Sequence, residues 1–162
     1  MYDCAVELAP KVVVNRTKAS QYDTVFGILG EFCFVQWFGL DWKKHAIIEN
    51  KGAVDFMNQI EIKTSAFPFS ENLNLLVRED YALKRKPQFY VQTIIDLSST
   101  TDIQLNSSTK CIIAGYATST EIDSAPLRDF GSKFGGKGGY QCRYIPIHKL
   151  HPVEDLHSKL GM

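Results

Sequence analysis

Apolar residues occupy nearly every side of residues 20–38, "SQYDTVFGILGEFCFVQWF", beyond Thr24. That pattern predicts a helix packed into a core and not one lying on the surface. Ser20 is the predicted N-cap, with Asp23 at the capping-box position, and "FGLDW" ends the helix. Residues 43–50 read as a connection or short strand, and an alternation of period two follows in "AVDFMNQIEIKTS". Residues 64–71 read as a loop, 73–77 as a short segment, and "REDYALKRK" as a helix of about two turns closed by Pro87. "QFYVQTIIDL" and "CIIAGYA" are rich in β-branched and aromatic residues and read as strands. A glycine-rich loop, "FGSKFGGKGGY", leads to a strand "YIPI" and a final helix after Pro152. These elements predict an α/β fold, a mixed sheet with helices packed against it.

The alternating stretch constrains its own turn. Side chains on a strand alternate between two faces. Val54 and Phe56 share a face in the first arm, as do Ile60 and Ile62 in the second, with Asp55, Glu61 and Lys63 opposite. A three-residue loop of Met57, Asn58 and Gln59 pairs Phe56 with Ile60 and sets Asp55 against Glu61. A two-residue loop would mix apolar and charged residues on both faces, which a buried sheet resists.

Composition narrows the class. At 162 residues, with 44% hydrophobic and 22% charged positions, the chain reads as one globular domain spanning 1–162. No apolar run is long enough to span a bilayer, and the first residues lack the basic start and apolar block of a signal peptide. Cys4, Cys33, Cys111 and Cys142 are widely spaced with no CxxC pair, which fits a reducing cytoplasm better than a disulfide framework or a zinc site. Lysine plus arginine equals aspartate plus glutamate, at 18 each, so affinity for nucleic acid would need local basic clusters.

Asp55 and Glu61, facing each other across a hairpin, would repel unless a positive charge sits between them. Lys63 supplies part of that charge. Mg²⁺ would supply more, since it accepts one or two carboxylates while keeping several waters. Glu31, in the middle of the most apolar helix, would be costly without a partner, and a shared metal site accounts for it too. The alternative is a solvated hairpin face carrying charges of both signs.

With these residues in place, the sequence resembles the PD-(D/E)xK nuclease superfamily, whose core is a helix bearing a glutamate, an aspartate on the first arm of a hairpin, and E-x-K on the second. Glu31, Asp55, and Glu61 with Lys63 in "IEIKTS" correspond, and Val54 stands where the family name has proline. The resemblance spans roughly residues 20–97 and implies a restriction-endonuclease-like central mixed β-sheet flanked by helices. It also implies a Mg²⁺-dependent DNA endonuclease, with Mn²⁺ an accepted substitute. Asp55 and Glu61 would hold the metal, Glu31 would be an auxiliary ligand, Lys63 would serve the attacking water, and Gln92 would approach the site. Small chains of this layout are similar to homing and restriction endonucleases from bacterial, phage or mobile-element contexts, with junction-resolving and repair nucleases as alternatives. Members that cut both strands of double-stranded DNA usually act as homo-oligomers, dimers or higher. From another class, the rival is a non-catalytic nucleic-acid-binding or assembly domain on the same fold.

On the nuclease reading, Lys43 and Lys44, then Lys84, Arg85 and Lys86, are candidate phosphate contacts. Lys133, Lys137 and Arg143 would form a flexible DNA-binding arm. "GSKFGGKG" nearly matches a phosphate-binding P-loop but lacks the final hydroxyl residue and leads into a strand. His148, His151 and His157 lack a cysteine or carboxylate at zinc-ligand spacing and read as surface histidines.

Overall fold

The computed structural model describes residues 1–12, 21–45, 54–82, 86–130 and 139–161, and the predicted N-cap Ser20 lies outside them. In chain order the elements are α1 (Tyr2–Leu8), α2 (Gln21–Trp37), β1 (Ile60–Phe67), β2 (Asn74–Arg78) and α3 (Glu79–Ala82). They are followed by β3 (Phe89–Asp96), β4 (Lys110–Thr118), α4 (Ser119–Ser124), β5 (Leu127–Phe130), β6 (Tyr140–Pro146) and α5 (Leu156–Lys159).

The strands form two three-stranded sheets where the sequence predicted a single central one. The first has the order β1-β3-β4, with β1 parallel to β3 and β3 antiparallel to β4, so it is mixed as expected. The second is antiparallel, in the order β2-β6-β5. Residues 73–77 and 144–147 read locally as short isolated pieces; they pair with each other across the chain, and that pairing leaves no local signal. The strand β1 also runs to Phe67, through residues expected to be loop, because Thr64, Ser65 and Ala66 continue the ladder opposite Thr93, Ile94 and Ile95. The helix α4 went unpredicted although it carries a capping box: Thr118 accepts from the Glu121 N–H, and the Glu121 carboxylate accepts from the Thr118 N–H.

The first sheet is the middle layer. Ile60 and Ile62 of β1 share a face with Phe89 and Val91 of β3, and all four pack against Phe34, Val35 and Phe38 of α2. Farther along, Phe32, Leu29 and Val25 of α2 meet Ile95 together with Ala5 of α1. On the opposite face Tyr90 and Ala117 pack against Leu75 and Val77 of the second sheet, with Ile122 of α4. Where α2 crosses the first sheet it does so at Gly30. A Cβ there would lie 2.1 Å from Thr64 Oγ1 and 2.6 Å from Thr93 Oγ1, two hydroxyls that hydrogen-bond each other at 2.9 Å. Only glycine allows that approach.

Gly39, at φ +88°, ends α2 in a left-handed turn. The Gly39 N–H donates to Gln36 O and the Leu40 N–H to Val35 O, which satisfies the helix's last carbonyls. The chain then turns into a short 3-10 turn, Trp42–Lys44, N-capped by the Asp41 side chain. Among the described residues, no helix is long and apolar enough to cross a membrane.

Candidate functional site

The turn at Met57, Asn58 and Gln59 forms as the alternation requires. Phe56 and Ile60 make an antiparallel bridge, each N–H donating to the other's carbonyl at 2.9 and 3.0 Å. Met57 and Asn58 both take positive φ, 51° and 56°, the left-handed geometry that reverses a tight hairpin. Phe56, Ile60 and Ile62 are buried in the α2-facing core, while Glu61 and Lys63 occupy the other register face with Tyr90 and Gln92.

The first arm departs from expectation. Beyond Phe56 it is turn and not strand, so Asp55 does not sit in a ladder opposite Glu61. Instead Asp55 Oδ2 accepts the backbone N–H of Ile62 at 2.7 Å. The strand β1 is the outer strand of its sheet, and on its open side the carboxylate takes the place that a neighbouring carbonyl would fill. A short polar side chain that accepts a backbone N–H competes with strand pairing in this way.

The four predicted residues come within electrostatic reach of one another. Burial raises Asp55 well above the usual carboxylate range; the negative charges of Glu61 and Glu31 add to the rise, and Lys63 and the Ile62 N–H oppose it. Glu31 is also raised, chiefly by burial and in part by Glu61, against the lowering effects of His45 and Lys63. Lys63 Nζ donates to Glu61 Oε1 at 2.5 Å. The second oxygen, Glu61 Oε2, is buried and has no hydrogen-bond partner among the described residues. A buried carboxylate oxygen left unpartnered is costly.

Glu31 and Glu61 are near enough to Asp55 to raise its proton affinity, with Lys63 beside Glu61, and carboxylate oxygens are the donor chemistry of a hard divalent cation. Among the described residues, no three His, Cys, Asp or Glu side chains are drawn together as a ready-made metal cage. Mg²⁺ does not need one, since it is held by one or two carboxylates together with waters and substrate phosphates. Asp55 and Glu61 are the residues that could hold such an ion, and Glu61 Oε2 is an oxygen left open for it.

Sequence reasoning missed His45. Its Nε2 lies 3.2 Å from Glu31 Oε2, with both side chains largely shielded. The available signal was the need of a mid-helix carboxylate for a partner; nothing in "KKH" pointed back across the helix C-terminus to it. Gln92 is buried but turns elsewhere. Its amide donates to Ser65 Oγ at 3.1 Å and to Thr93 O at 2.7 Å, holding β1 to β3.

The candidate DNA contacts divide into three groups. Lys43 and Lys44 lie next to His45, with Lys44 exposed and 3.9 Å from Asp41 and Lys43 set over the Trp42 ring. Lys86 is paired with Asp123 at 2.8 Å, and Arg143 with Ala125 O at 2.8 Å and Glu79 at 3.1 Å, so both are engaged within the chain. Lys84, Arg85, Lys133 and Lys137 lie outside the described residues, as does the whole P-loop-like stretch. His151 pairs with Glu121 at 2.7 Å and His157 stacks on Phe38 at 4.1 Å, contacts that give each a role in packing. A scan of protein-family models and searches of curated proteins and solved structures found no match to this chain.

Proposed function

We propose that the chain is a Mg²⁺-dependent DNA endonuclease of the PD-(D/E)xK type. The observation that carries the reading is the convergence of Glu31, Asp55, Glu61 and Lys63 beside β1, with Glu61 Oε2 buried and unpartnered. The order of elements supports it too: a glutamate-bearing helix, a tight hairpin, an E-x-K strand, then the parallel neighbour β3. The restriction-endonuclease-like arrangement, the site-specific action of homing or restriction type and the dimeric state rest on the sequence resemblance.

Asp55 and Glu61 would hold the cation, with Glu31 as an auxiliary ligand. When bound, Mg²⁺ neutralises phosphate charge and acidifies water. The chain's own contribution is positional. The Ile62 N–H fixes one Asp55 oxygen, and the core packing of Ile60 and Ile62 fixes the strand that carries Glu61 and Lys63. Held by Glu61, the Lys63 ammonium is a placed positive charge. It can orient the attacking water or stabilise charge developing on the scissile phosphate. His45 holds Glu31 in place.

The test is nicking of supercoiled plasmid in Mg²⁺, with EDTA as control. Lys63→Ala and Asp55→Asn should each lower the rate by about 100-fold or more. Cleavage that persists in both variants sinks the site assignment. Mg²⁺-independent DNA binding without cleavage by the wild type supports the non-catalytic domain instead.

A further inference from the structure

Two cysteines that are far apart in sequence meet in the fold. Cys33 lies on α2 and Cys111 on β4, and their side chains pack against the same apolar cluster, near enough to perturb each other's charge. Both are half-buried and free. Both also line one cavity of about 220 Å³, whose wall includes Tyr2, Leu29, Ile95 and Leu105. The other two thiols are placed differently: Cys142 is buried in β6 of the second sheet, and Cys4 is half-buried on α1. Two thiols that share one cavity close to a disulfide by side-chain rotation where their backbones can reach the required separation. The cavity gives a small reagent a route to both residues.

We propose that Cys33 and Cys111 form a redox-active dithiol, which a low-molecular-weight disulfide entering the cavity converts to an intramolecular disulfide. The exchange runs in two steps. The Cys33 sulfur attacks the reagent's S–S bond, forming a mixed disulfide and releasing one reagent thiol. The Cys111 sulfur then attacks the Cys33 sulfur, the bond to the reagent breaks, and the second reagent thiol leaves. Two protein thiols are oxidised, the reagent is reduced to two thiols, and these carry away the two protons. The product ties α2, the helix that bears Glu31, to β4. This reading is independent of the nuclease reading, since no step in it uses the carboxylates.

The experiment exposes the folded full chain to glutathione disulfide, quenches it by alkylation in denaturant, and maps a non-reduced digest by mass spectrometry. The expected result is a single Cys33–Cys111 cross-linked peptide pair, a protein mass lower by two hydrogens, and reversal by dithiothreitol. Cys111→Ser should instead trap a glutathione adduct on Cys33, and Cys4→Ser should leave the cross-link unchanged. Should Cys111→Ser fail to fold, Cys33→Ser serves in its place: removal of the attacking sulfur should abolish the cross-link and leave Cys111 without an adduct. The proposal is overturned if both thiols of the wild type remain alkylatable, if a glutathione adduct persists there without the cross-link, or if Cys4 replaces either partner.

Discussion

Asp55 Oδ2 accepts the backbone N–H of Ile62, so the aspartate proposed as a metal ligand also completes the edge of its own strand. The two roles separate by substitution. Asp55→Asn keeps a side-chain oxygen for the Ile62 N–H and removes a charge that Glu61 and Glu31 repel. Without metal it should be at least as stable as the wild type, yet should lose stabilisation by Mg²⁺. Asp55→Ala leaves that N–H without its acceptor and should fall below Asp55→Asn by about 1–2 kcal/mol. Urea denaturation with and without Mg²⁺ measures both differences.

Stability should depend on pH with a definite sign. The folded Asp55 and Glu31 hold their protons more tightly than the unfolded chain does, from ordinary values of 3.8 and 4.5 upward. Between those ordinary values and the raised folded ones the folded state carries the extra proton, so stability falls as pH rises through that window and levels off above it. In EDTA, denaturation midpoints should therefore decline from mildly acidic to neutral pH. The decline should be shallower in Asp55→Asn, and shallower in the wild type with Mg²⁺, which favours the ionised carboxylates. A slope that neither change alters would show that these carboxylates do not titrate as a buried cluster.

The Lys63–Glu61 pair should show strong coupling. Lys63→Met strands a buried carboxylate whose second oxygen is already unpartnered, and should cost about 2 kcal/mol or more without metal. Glu61→Gln should cost less, and the double variant less than the sum, with a coupling of about 1–3 kcal/mol. A double-mutant cycle by chemical denaturation gives the value. Additive effects would mean that the 2.5 Å contact does not stabilise the fold.

Two glycines on one helix should respond oppositely to alanine. At Gly30 a methyl would meet the stiff, mutually bonded Thr64 and Thr93 side chains, so Gly30→Ala should destabilise by about 1–3 kcal/mol. At Gly27 a Cβ would meet no atom of the packed, described residues within 4 Å, and Gly27→Ala should stabilise by about 0.5–1 kcal/mol through helix propensity. Thermal melts distinguish the two signs.

What could be read from the letters was whatever local periodicity decides. The odd-numbered turn at Met57, Asn58 and Gln59, the helix α2 and the strands β3 and β4 follow from alternation, apolar density and β-branching. The division into two sheets did not, because β2 pairs with β6 some seventy residues away and neither strand signals its partner. The same limit hid His45 behind Glu31 and Cys111 beside Cys33, contacts created by a helix terminus and a sheet register. Asp55 was assigned to the right turn but to a strand, because alternation cannot tell a side chain that sits in a ladder from one that replaces it. Gln92 was expected to approach the site, and its amide is turned to Ser65 by a local bond that no motif encodes.

Both margins of the first sheet end in a single bridge. Phe56 meets β1 at Ile60, with Asp55 beyond it at Ile62, and His151 meets β4 at Tyr116. An open strand margin is a template on which a second chain can add, and charge or early termination is how folded proteins blunt it. Asp55 therefore also guards against association: its carboxyl oxygen already occupies the Ile62 N–H, the donor that an incoming strand would seek.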